Sequence, residues 1–193
     1  HTETDAAWLE NENKIDWLDG REHYVWLSER TGWRQAYLTF PHDGSQTPVT
    51  RGSFDVISVV AAGDAFGLYY MASPENPTQC YLYHTPISGG EPKRITPADQ
   101  PGWHAYSISP DGQYAIHTRS SFVEPPVSEL IKLPSHEVVR SLTENKKLQE
   151  KLAALKKPAT EFLKIDIGNG VVLDAWAIKP PEFDENAKYP VLF

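Results

Sequence analysis

The sequence predicts a mainly β fold: a partial β-propeller of about three four-stranded antiparallel blades, followed by a short connector helix and a β-hairpin. Three observations carry this reading. Tyr24, Trp26 and Ser28 recur 45 residues later as Tyr69, Met71 and Ser73, and 45 later again as Tyr114, Ile116 and Thr118. The pairs Val49-Thr50, Ile95-Thr96 and Leu142-Thr143 keep nearly the same period, at 46 and 47 residues. Each period holds short apolar–polar alternations separated by turn residues, the pattern of strands joined by hairpins. One blade cannot bury both faces of its small sheet, so blades stack and each covers the next. A single β-sandwich with evenly spaced strands is the alternative, and the repeat favours the propeller.

The elements follow in order. His1–Glu10 reads as the tail of an element that starts earlier. Strands are expected at Glu12–Trp17, His23–Ser28, Gln35–Phe40 and up to Val49-Thr50, with turns at Asp19-Gly20, Ser28–Trp33 and Asp43-Gly44. The second unit repeats this with Asp55–Ala61, Leu68–Ser73, Gln79–His84 and a strand closing on Ile95-Thr96. The third runs from Trp103 through YSISPDGQYAIHTR, where Pro110-Asp111-Gly112 is a tight-turn signal, to Val127–Leu133 and Glu137–Thr143. Glu144–Lys157 then places Leu148, Leu152 and Leu155 on one helical face, with a capping box expected from Ser141 to Glu144 and Pro158 as the stop. Its five lysines alternate with Glu150 and Gln149, which reads as a solvated face. Glu161–Ile167 and Val171–Ile178 flank Gly168-Asn169-Gly170, a strong hairpin signal, and Val191-Leu192-Phe193 reads as the opening of a buried strand at which the chain stops.

Composition narrows the function. The 193 residues are 40% hydrophobic and 23% charged, ordinary for a chain with a core. A net charge of -8 and a pI near 5.3 disfavour nucleic acid, whose phosphates call for a basic surface. No apolar run reaches the length of a membrane-spanning helix, so no membrane contact is expected from this stretch, and the HTETD start matches neither a signal peptide nor an initiator. Cys80 is the single cysteine, which excludes an intrachain disulfide and a cysteine-built metal site but leaves the compartment open. Asn76-Pro77-Thr78 fails as a glycosylation acceptor because of its proline.

Catalytic signatures are absent. The chain has no Gly-x-Ser-x-Gly elbow and no HGGG-type oxyanion segment. His136-Glu137-Val138-Val139-Arg140 starts like a zinc-protease helix but carries Arg140 where a second ligand must stand, and is expected to begin a strand. The seven histidines show no recognised metal-ligand spacing and read as surface or strand residues. Gly63–Gly67 and Gly89-Gly90 lack a Walker lysine and read as turns, and Ser109–Gly112 lacks the spacing of a sialidase Asp-box. Ser109 is expected to hold a turn rather than act as a nucleophile. No catalytic, cofactor-binding or metal-binding residue is nominated, and no cofactor is expected.

Several stretches resemble a known family. Trp26–Trp33 with Tyr37-Leu38, Val49–Gly52, Tyr81–Tyr83, Gly89–Pro92, Ile95–Pro97 and Ser107–Gly112 are similar, in this order, to the later propeller blades of dipeptidyl peptidase IV-like enzymes, a branch of the prolyl oligopeptidase family of serine peptidases. Pro180–Asp184 and Lys188–Phe193 resemble that family's entry into its α/β-hydrolase domain. Ser120, Ser121, Pro125 and Pro126 follow the family pattern, whereas the Ile131–His136 turn lacks its glycine or charged hairpin and leaves the last strand's register open.

The resemblance implies a serine exopeptidase that removes dipeptides, or tripeptides, after Pro or Ala from peptide N-termini. It implies residues 1–143 as the last blades, 144–160 as a connector and 161–193 as the start of the hydrolase domain. The nucleophile, its His and Asp, the oxyanion Tyr and the amine-binding Glu pair match no position here; Glu10, Glu12 and Glu29 do not fit that motif. The chain is therefore expected to be inert alone and to act as gate and wall in a parent enzyme, with peptides as partners. A periplasmic, secreted or membrane-anchored setting is implied by the resemblance only. Open blade faces are expected to favour self-association. A non-catalytic propeller binding peptides or proteins is the alternative, and a sugar-cleaving propeller, needing paired carboxylates, is a third reading.

Overall fold

Period-2 alternation forces a strand's side chains onto two faces, and the computed structural model shows both faces in use. The structure describes Thr4, residues 14–156 and residues 158–192. Expected features at 1–3, at 5–13, at Lys157 and at Phe193 lie outside the described residues. Three four-stranded antiparallel sheets follow one another, each a meander in chain order. The first comprises β1 (Asp16–Trp17), β2 (Tyr24–Ser28), β3 (Gln35–Thr39) and β4 (Gln46–Pro48), with a 3₁₀ turn at Asp19–Arg21. The second comprises β5 (Val56–Gly63), β6 (Gly67–Ala72), β7 (Tyr81–Thr85) and β8 (Lys93–Arg94). The third comprises β9 (Trp103–Ile108), β10 (Tyr114–Ser120), β11 (Val127–Lys132) and β12 (Glu137–Thr143). The recurring Tyr24, Tyr69 and Tyr114 all fall in the second strand of their sheets.

Two cores lie between these sheets. In β6, Leu68, Tyr70 and Ala72 join Val25, Ala36, Leu38 and Val56 in one cluster, while the alternating Tyr69 and Met71 join Leu82, Ala115 and Ile131 in another. The middle sheet is thus covered on both faces, and burying a side chain such as Leu82 contributes about 1.5–3 kcal/mol. Backbone bonds also join successive sheets: Val56 N donates to Arg34 O (2.7 Å), and His104 N to Cys80 O (3.2 Å).

The closing residues differ from a simple strand end. Val49 N and Thr50 N both donate to Ala36 O, while Thr50 Oγ1 accepts from Ala36 N at 2.8 Å. Ile95, Thr96 and Leu82 repeat this arrangement. Two residues oppose one, so a bulge ends the ladder and β4 and β8 stop short of these pairs. The third sheet shifts register at the corresponding point, between Glu129↔Ser141 and Ser128↔Thr143. Leu142 is exposed there, whereas Val49 and Ile95 are buried.

Two expectations are corrected. The helix α1 covers Lys146–Ala154, and Asn145 at its start is left-handed (φ 52°) with no side-chain cap. Ser141 cannot form the expected capping box because β12 takes its backbone into the ladder. Val191 and Leu192 pair with no described strand and stand exposed, since a buried strand needs a neighbour for its amides and carbonyls. The hairpin β13 (Ala159–Asp166) and β14 (Val172–Lys179) forms as expected, with Asn169 left-handed (φ 56°) in its turn. The chain divides into two compact units, one ending at Glu144 and the other comprising 122–125 and 145–193. In the second, Phe122 packs its ring against Phe162 and Trp176, both at 5.3 Å.

Candidate functional site

The third sheet turns polar side chains toward the second. Its hairpin is fixed by Ser109, whose Oγ donates to Asp111 Oδ1 (2.5 Å) and accepts from Tyr114 N (3.0 Å), while Gly112 N donates to Ser109 O. Ser109 therefore holds a turn, as its sequence context predicts. That turn sets the register that pairs Tyr106 with His117, and the next ladder pairs His117 with Glu129. His104 lies on the same face of β9 as Tyr106, and His136 immediately precedes β12.

His104, His117 and His136 are 1%, 0% and 7% exposed. His104 and His117 are strand residues, as expected, whereas His136 is neither a surface nor a strand residue but lies buried just before β12, and all three converge in one buried cluster. Tyr106 stacks on His117 (4.5 Å, 11°), the His104 ring lies beside His117 in a parallel plane (5.1 Å, 4°), and His136 meets His117 edge-on at 4.8 Å. His104 Nε2 contacts the Gln100 carbonyl (3.0 Å), His104 Nδ1 contacts His117 Nε2 (2.8 Å), and His117 Nδ1 contacts Glu129 Oε1 (3.0 Å). A second branch runs from Thr96 Oγ1 to Tyr106 Oη (2.9 Å) and on to His136 Nε2 (3.0 Å). The buried Nδ1 of His136 has no hydrogen-bond partner.

Tautomers follow from the ends of the first chain. A carbonyl only accepts, so His104 Nε2 carries the proton and its Nδ1 accepts from His117 Nε2–H. In a neutral ring His117 Nδ1 then carries a lone pair and faces Glu129 Oε1. Burial, then the nearby His136 and Arg119 charges, lowers the His117 pKa to about 3. Burial, then His117, lowers His104 to about 4, against the raising effect of its bond to the Gln100 carbonyl. The His117–Glu129 contact has ion-pair geometry, yet desolvation of a fully buried ring outweighs it and favours neutral imidazole. Burial also lowers His136 and raises Tyr106.

One ligand atom from each of His117, Glu129 and His136 lies within 4.8 Å of the others. Sequence spacing hides this set because strand pairing, not a local motif, assembles it. The buried Cys80 offers no nucleophile, since burial raises its thiol to about 11. Glu29, half-buried, follows β2 and lies outside this cluster; Glu10 and Glu12 are outside the described residues.

Comparison with known proteins places the whole. Residues 1–126 match the family model for the dipeptidyl peptidase IV N-terminal region. Curated relatives include dipeptidyl peptidase 4 of Trichophyton equinum, 27% identical over 97% of this chain, and a probable dipeptidyl peptidase 4 of Emericella nidulans, 30% identical over the same share. The chain spans about a quarter of the length of these relatives. The crystal structure of Porphyromonas gingivalis dipeptidyl peptidase 4 superposes with a TM-score of 0.80 at 26% identity, over 91% of this chain and 24% of that one. With its three four-stranded sheets and this match over most of its length, the chain belongs to the dipeptidyl peptidase IV family.

Proposed function

We propose that this chain is the propeller wall and the entry to the hydrolase domain of a serine exopeptidase that releases dipeptides, or tripeptides, after Pro or Ala from peptide N-termini. The observation that carries this reading is the family match over 1–126 joined to relatives aligned over 97% of the chain. Residues up to 143 form the blades, 144–160 the connector and 161–193 the opening of the catalytic domain. The blades act as a gate that admits peptide termini and excludes folded proteins. The chain itself is inert, because it contains no Gly-x-Ser-x-Gly to supply an activated serine.

The test compares the chain with the longer protein that contains it, using an Xaa-Pro chromogenic dipeptide. The longer protein is expected to release the chromophore and the chain to leave it intact. Turnover by the chain would overturn its inertness, and an intact substrate with the longer protein would overturn the peptidase reading.

A further inference from the structure

We propose that His117, Glu129 and His136 form a binding site for one zinc(II) ion, clamping β10, β11 and the start of β12 together. The tautomer chain supplies the first reason. The Gln100 carbonyl accepts from His104, His104 accepts from His117, and the remaining nitrogen of His117, Nδ1, faces Glu129 Oε1 3.0 Å away. A ring nitrogen and a carboxylate oxygen at that distance hold either a proton or a metal cation between or beside them. The separation suits a shared ion, since zinc binds imidazole nitrogen and carboxylate oxygen each at about 2.0–2.2 Å.

A second, independent feature is His136. A proton held between His117 and Glu129 would account for those two residues but would leave the buried Nδ1 of His136 unpartnered. Its Nδ1 is buried and has no hydrogen-bond partner, while one of its ring nitrogens lies within 4.8 Å of both other ligand atoms. Three donors of this kind, two imidazoles and one carboxylate, suit zinc and not calcium or magnesium, which take oxygen ligands. Water completes a tetrahedron.

The surroundings match those of metal-binding histidines, which donate their other ring N–H to a fixed acceptor. His117 donates Nε2–H to His104, itself anchored on a backbone carbonyl, so the ligand nitrogen is held bare and oriented. The Glu129 side chain is 16% exposed and gives the ion a route in from solvent. The role is structural: the ion neutralises the Glu129 carboxylate and joins side chains of β10, β11 and the turn that leads into β12.

The experiment uses the full chain, stripped with a chelator, dialysed and titrated with zinc alone by calorimetry, with cobalt(II) absorption as a report of coordination geometry. One equivalent of zinc is expected to bind, raise the unfolding midpoint and, as cobalt, show intense tetrahedral bands. Glu129→Gln and His136→Gln each remove one ligand and are expected to weaken binding by more than tenfold, and His104→Gln by about 10–100-fold through loss of orientation. His42→Gln, an exposed control, is expected to bind as the parent does. His136→Gln lies outside the strands and keeps the test decisive if Glu129→Gln misfolds. Absence of one-to-one uptake overturns the proposal, as does uptake unchanged in both ligand variants. An imidazolium NMR signature at His117 that persists in excess zinc at pH 7 also overturns it, by showing a proton in the ion's place.

Discussion

The second and third sheets are the same four-stranded meander, yet their interiors differ in kind. In the second, β6 sends Leu68 and Tyr70 one way and Tyr69 and Met71 the other, and every residue of the strand is buried. In the third, β10 buries Ala115 and His117 against the second sheet while Tyr114 and Ile116 on its opposite face are exposed. Covered on both sides, β6 fills both rows with aliphatic and aromatic side chains. A strand covered on one side can carry polar groups on its inner row, provided each finds a partner. The difference shows that the repeat specifies the backbone, while the contents of each sheet remain free to take on separate tasks.

The sharpest way to break this contrast is to damage each interior. Leu82→Ala in the second sheet is expected to lower stability by about 2–5 kcal/mol in urea unfolding, whereas Ile116→Ala on the exposed face of the third should stay within about 0.5 kcal/mol. Equal losses would show that the two faces are not distinct.

Acid comes next in size. Burial, with the His117, His136 and Arg119 charges behind it, holds the folded pKa of His104 near 4, and burial holds that of His117 near 3, against 6.5 for a free imidazole. The unfolded chain therefore takes up protons first as pH falls below 6.5, and stability declines from there until the folded pKa values are reached. For the metal-stripped chain the slope per histidine approaches about 1.4 kcal/mol per pH unit, and His104→Gln should flatten it. An unfolding midpoint that is constant from pH 7 to pH 5 would contradict the buried neutral state.

Threonine gives a smaller and more discriminating test. Thr50 and Thr96 both cap a buried amide, but Thr96 also meets Tyr106 and so links the two sheets. Thr96→Val is expected to cost about 1–3 kcal/mol and to exceed Thr50→Val, as measured by thermal or urea unfolding. The smallest expected effect is weak association through exposed apolar groups such as Tyr114 and Ile116. Light scattering should show mass rising with concentration, and a constant monomer mass would remove it.

Much of the fold was legible because turn chemistry and period-2 alternation are local. Ser-Pro-Asp-Gly and Gly-Asn-Gly mark their hairpins from sequence, and the 45-residue recurrence marks the second strand of each sheet. The helix start was not legible, since a Ser-x-x-Glu signal at Ser141 competes with strand pairing and loses. The histidine cluster was hidden for a different reason. His104, His117 and His136 sit on three separate segments, and only register joins them. Counting outward from the Ser109–Tyr114 closure would have set Tyr106 opposite His117, but nothing in the sequence fixes how β11 and His136 return to that face.

The backbone bonds at Arg34–Val56 and Cys80–His104 give these sheets built-in gauges of their own separation. The Val56 and His104 amides are satisfied across a boundary between sheets and not within one. Their exchange with deuterated solvent would therefore time the parting of neighbours, while amides inside β6 time the melting of a single sheet. If Val56 and His104 exchange together and before β6, the blades come apart as intact plates; if all exchange at one rate, the ribbon of sheets fails as one body.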